Sequence, residues 1–93
     1  MKKPIVISWH ARLQMQFRGA EETEVIEAAR KGQWQPAKRG RFQAKWRFIF
    51  DKPSPITGVI YRFKEIEVIF AEESDEIIVL TVKVYYTNEG EKP

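Results

Sequence analysis

Apolar residues recur with two different periods along this chain, and the change between them divides it. After a short β-branched run the first third repeats at helical spacing, whereas from Phe42 onward apolar and polar positions alternate as in strands. Ile5-Val6-Ile7 is a first strand ending at Ser8, which is placed to cap a helix from about Trp9 to Arg18. In that helix Trp9, Leu13 and Phe17 recur at i, i+4 and i+8 and are expected to face a core. His10, Gln14 and Arg18 form a neighbouring polar ridge at the same spacing. Gly19 reads as the left-handed residue that stops the helix.

A second helical stretch follows. Glu21, Glu22, Glu24 and Glu27 come early in it and Arg30 and Lys31 at its end, an order that complements the helix dipole. Val25, Ala28 and Ala29 give it a narrow apolar side, and Gly32 reads as another C-terminal stop. Gln33 to Ala37 is weakly patterned, anchored by Trp34 and marked as an edge by Pro36. Lys38-Arg39-Gly40-Arg41 reads as a turn.

The cleanest strand comes next. Phe42, Ala44, Trp46, Phe48 and Phe50 share one face, and Arg41, Gln43, Lys45 and Arg47 share the other. The first face is expected to pack on the helices, and the second presents a row of cations for which an anion or an acidic partner is a natural complement. Asp51 to Gly58, with two prolines, reads as a loop. From Val59 to Phe70 a strand pattern resumes with a change of parity. Tyr61 and Phe63 are odd, Ile66, Val68 and Phe70 even, and a bulge near Lys64-Glu65 would reconcile them. Glu72 to Glu76 is a charged turn. Ile77-Ile78-Val79-Leu80 is apolar on both faces, so the last strand is expected inside the sheet, continuing to Tyr86. Residues 87–93 read as a polar, flexible tail on a single domain spanning 1–93. The expected fold is α+β: an N-terminal strand and two helices on a largely antiparallel sheet of three to four strands.

Charge changes this picture. Residues 1–50 hold eleven Lys/Arg against four Glu, a net +7, and residues 51–93 hold five against nine acids, a net −4. Between Ala28 and Phe50 there are seven cations and no acid, a distribution that attracts polyanions. The chain has no cysteine and one histidine, which argues against disulfides, thiolate metal sites and zinc. No metal or other cofactor is expected. With no signal peptide and no run of the roughly 20 apolar residues that a membrane helix needs, a cytoplasmic protein without membrane contact is expected.

The His10-Ala11…Met15…Arg18-Gly19 helix, the Val25-centred second helix and the hydrophobic closing strand resemble a family of small bacterial domains of uncharacterised function. That family is similar in turn to the RelE/ParE/BrnT toxin group. Two positions depart from its pattern: Gln14 stands where a basic residue is usual, which weakens the cationic ridge, and Ala20 where isoleucine is usual. The resemblance implies a RelE-like architecture, binding to RNA or ribosome-associated RNA, an antitoxin-like protein partner and, for active members, metal-independent RNA cleavage.

Such cleavage needs a base for the 2′-hydroxyl, cations for the phosphorane and an acid for the leaving oxygen. His10 is the candidate base or acid, Arg18 a phosphate clamp, and Tyr85 a donor or stacking platform. Lys38, Arg39, Arg41, Lys45 and Arg47 are the candidate nucleic-acid-binding residues. The alternative reading is a non-enzymatic interaction module that binds an acidic protein partner through the basic face or dimerises through a strand edge.

Overall fold

The computed structural model describes residues 2–90, and its elements follow the periodicity closely. β1 (Ile5–Ile7), α1 (Trp9–Arg18) and α2 (Glu22–Lys31) are followed by β2 (Gln35–Pro36), a 3-10 turn (Lys38–Gly40), β3 (Phe42–Pro53), β4 (Ile60–Glu72) and β5 (Ile77–Thr87). The fold is α+β. The sheet has five strands rather than three or four, in the order β1-β5-β4-β3-β2. β1 lies parallel to β5, and every other pair is antiparallel. Among the described residues no helix is long and apolar enough to cross a membrane.

Both helices cover one face. Ala11 and Met15 of α1 and Val25, Ala28 and Ala29 of α2 join Ala44, Ile66, Val68, Phe70, Val79 and Val82 in one buried cluster. Ser8 caps α1 through its Oγ, which accepts from Ala11 N at 3.2 Å, and Gly19 ends it in the left-handed region at φ 82°. A Cβ at Gly19 would also lie 2.6 Å from Pro55 and 2.7 Å from the Tyr86 hydroxyl, so conformation and space both favour glycine there.

Three local expectations are corrected. The Trp9/Leu13/Phe17 ridge does not face the core: Trp9 is 76% and Phe17 79% exposed, and the small Ala11 with the flexible Met15 points inward instead. The small Ala11 and the adaptable Met15 let α1 pack on β5. Gly32 does end α2 as read, but not in the left-handed conformation. Its φ is −66°, and its need is for space, because a Cβ would sit 2.7 Å from the Lys45 carbonyl oxygen and 2.8 Å from its nitrogen.

The third concerns β4. No bulge occurs at Lys64-Glu65, where the register with both neighbours is continuous. Phe63 faces away from the helices, roofed by the guanidinium groups of Arg47 and Arg62. Lys64 turns inward, with its ammonium 2.7 Å from the Glu24 carboxylate and 2.6 Å from Gly19 O. A buried ion pair, only 4% exposed at the lysine, thus resolves the parity conflict. The bulges lie elsewhere. One is in β3 between Ile49 and Lys52, where Asp51 has φ 50°, so that the strand runs on to Pro53 instead of ending at a loop. The other is in β5, where Leu80 is the extra residue between the partners of Ile69 and Phe70.

Candidate nucleic-acid interface

Alternation along the three long strands decides what the uncovered face carries. On β3 it is Gln43, Lys45 and Arg47, with Arg41 one residue before the strand. The register sets Lys45 beside Glu67, Arg47 beside Glu65, Glu67 beside Lys83 and Glu65 beside Tyr85. Lys45 and Arg47 therefore find a complement within the sheet itself, where the row of cations had suggested an anion or an acidic partner. Arg47 holds Glu65 at 2.6 Å, Lys45 approaches the same carboxylate at 3.9 Å, and Lys83 lies 4.0 Å from Glu67. Arg47 also donates to Glu89 O at 3.0 Å, and Asn88 accepts from Arg62 N at 2.8 Å. The start of the sequence-predicted tail is thereby fastened to the sheet; residues 91–93 lie outside the described residues.

Toward the other end of this face the balance changes. The 3-10 turn and the adjoining β2 rise beside β3 and form one wall of a shallow groove of about 740 Å³. Lys38, Arg39 and Arg41 line that wall, Gln43, Ile69 and Thr81 the floor, and Lys83 the far side on β5. Four cations line the groove and no carboxylate does. Among the described residues Lys38, Arg39 and Arg41 have no ion-pair partner. Arg39 is held at φ 62°, a conformation uncommon for a residue with a side chain, and Gly40 follows it at φ 70°. This tight pair keeps the turn short.

The residues singled out for catalysis lie apart from the groove. The His10/Gln14/Arg18 ridge runs along the outer margin of β5, where β1 has ended. There Val82 N donates to Gln14 Oε1 at 2.8 Å, and Arg18 Nη1 donates to Val82 O at 2.7 Å. Two helix side chains therefore stand in for the missing neighbour strand and satisfy the edge backbone. Gln14 suits this place, because a carboxamide can accept the Val82 N–H and a lysine or arginine cannot. His10 is exposed in the first turn of α1. Its Cα lies about 12 Å along the helix from that of Arg18, eight residues on. Tyr85 is 46% exposed on the uncovered face, with the sheet between it and the buried side of α1.

The neighbouring tyrosine packs instead: the Tyr86 hydroxyl donates to Arg18 O at 2.8 Å. Burial, and then the nearby Glu24 charge, raise its pKa above the ordinary 10.0. Among the described residues no cluster of three or more His, Asp or Glu side chains could hold a metal ion.

Sequence reasoning selected Lys38, Arg39 and Arg41 but missed Lys83 and Gln43. The parity of β5, which puts Lys83 on the same face as Tyr85, was the available signal for the first. The odd positions of Glu65 and Glu67 likewise marked them as partners for Lys45 and Arg47. No protein-family model, curated protein or solved structure matches this chain.

Proposed function

We propose that this domain binds single-stranded RNA across the uncovered face of its sheet, with Lys38, Arg39, Arg41 and Lys83 holding backbone phosphates. The observation that carries the reading is the groove lined by four cations and no acid: among the described residues three of them, Lys38, Arg39 and Arg41, meet no carboxylate, whereas Lys45 and Arg47 beside the groove are already paired with Glu65. Phosphates gain most where no internal anion must first be displaced. The resemblance of the His10…Arg18-Gly19 helix to the RelE/ParE/BrnT group adds a reason to choose RNA among polyanions. Cleavage is the finer step of this reading, with His10 as its base or acid.

Four phosphate contacts on a single strand give a slope of about −2.8 in log K against log salt, roughly a 50-fold loss of affinity for a fourfold rise in salt. The test is fluorescence anisotropy of a labelled RNA oligonucleotide in EDTA, with the Lys38→Glu/Arg41→Glu variant beside the native chain. Salt-sensitive binding that the variant loses supports the proposal; absent or salt-insensitive binding ends it. The same mixtures, run on a gel, read cleavage: shortened RNA that disappears with His10→Ala supports a metal-independent ribonuclease, and intact RNA leaves binding alone.

A second reading, a protein-interaction module, is favoured by one separate observation. Trp9 and Phe17 are largely exposed on α1. An antitoxin-like segment or a second copy of the chain could cover those two side chains. Light scattering that shows a stable dimer, lost with Trp9→Ser/Phe17→Ser, would support it.

A further inference from the structure

Next to the cationic groove, and sharing Gln43 with it, lies a second cleft of about 310 Å³ lined by Gln33, Gln35, Gln43, Ala44, Lys45 and Glu67. Its composition differs from that of the groove. Three carboxamides converge there because β2 pairs with β3 in a register that sets Gln35 directly beside Gln43, and Gln33 lies two residues before Gln35 in the segment that leads into β2. Among the described residues none of the three carboxamides has a hydrogen-bond partner. Glu67 contributes a carboxylate whose ion-pair partner, Lys83, is 4.0 Å away, so both oxygens retain capacity to accept. Lys45 contributes an ammonium held only loosely, 3.9 Å from Glu65.

We infer that this cleft reads a guanine base of a single-stranded RNA whose phosphates lie in the adjoining groove; the inference rests on the RNA-binding reading above. The donor and acceptor pattern selects the base. Guanine presents two adjacent donors, N1–H and N2–H, and these match the two oxygens of one carboxylate. Its O6 and N7 accept, matching the Lys45 ammonium and the carboxamide N–H groups. Adenine offers one donor next to the unprotonated N1, whose lone pair would face the Glu67 carboxylate. Cytosine likewise pairs one donor with acceptors, and uracil has a single N–H between two carbonyls. A duplex hides this edge in its own pairing, so the cleft requires an unpaired nucleotide. Gln43, lining both depressions, is the hinge between phosphate holding and base reading.

The test compares labelled uridine decamers that carry one central guanosine, inosine or adenosine, by anisotropy at two salt concentrations. Inosine is guanosine without the N2 amino group, so it isolates the contact to Glu67. The guanosine oligonucleotide is expected to bind about tenfold or more tightly than either of the others, the discrimination typical of a bidentate base contact. Glu67→Gln, nearly isosteric, is expected to remove that preference and retain salt-sensitive binding to the uridine tract. Gln35→Ala/Gln43→Ala should reduce it with the same thermal transition as the native chain. Equal, salt-sensitive binding of all three oligonucleotides overturns the base-reading inference and leaves RNA binding standing. A failure of every oligonucleotide to bind overturns both.

Discussion

The two faces of the sheet carry ion pairs of the same chemical kind in opposite circumstances. On the covered face Lys64 and Glu24 meet at 2.7 Å with the lysine almost entirely buried. On the uncovered face Lys45 and Glu65 stand 3.9 Å apart with half the lysine side chain in solvent. The buried pair lacks water as an alternative partner, so it fixes the α1–α2 junction to β4 through Glu24 and Gly19 O. The exposed pairs hold little energy individually but set the charge map: they neutralise one end of the face and leave the other end cationic. Position in the sheet, more than residue type, separates a charge that builds the fold from one that is available to a ligand.

The sharpest way to break this contrast is to remove one member of the buried pair. Lys64→Met leaves Glu24 half-buried beside an apolar side chain, and a loss of about 3–5 kcal/mol is expected. Urea unfolding measures it, and Lys64→Met/Glu24→Leu should recover much of the loss. Gly32→Ala comes next, because its new Cβ meets the Lys45 backbone inside 3 Å; about 1–3 kcal/mol is expected in the same assay. Arg18→Met leaves the Val82 carbonyl without its partner, at about 1–2 kcal/mol, and is expected to leave RNA affinity unchanged. Lys45→Met should change stability by no more than about 1 kcal/mol.

A smaller effect appears only at alkaline pH. The folded state holds the Tyr86 proton more tightly than the unfolded chain does. The stability this contributes is therefore complete below the ordinary phenol pKa of 10.0 and is lost as pH rises through the higher folded value. Melting curves between neutral and alkaline pH should show that loss in the native chain and less of it in Tyr86→Phe.

Much of this architecture is legible in the chain. The Ser8 cap, the Gly19 stop and the Val25/Ala28/Ala29 stripe are local signals, and each forms as read. The alternation of Phe42 to Phe50 likewise assigns the two faces of β3. What could not be read depends on partners distant in sequence. Trp9 and Phe17 have the spacing of a core ridge, yet Ala11 and Met15 take the inward positions because close approach to β5 selects small and flexible side chains. Lys64 breaks the pattern of β4 because its partner, Glu24, lies forty residues away. The cations of the candidate interface were visible as residues, but which of them remain unpaired depends on the β3–β4–β5 register. That register links Lys45 and Arg47 to acids and leaves Lys38, Arg39 and Arg41 in a groove with Lys83.

The most direct test of the charge map is the salt dependence of RNA binding in Arg39→Gln/Arg41→Gln, measured beside Lys45→Gln. Loss of two of four phosphate contacts should bring the slope of log K against log salt from about −2.8 to about −1.4, while Lys45→Gln stays close to the native value. An unchanged slope in the double variant, or an equal fall with Lys45→Gln, would contradict the assignment of the RNA site to the groove.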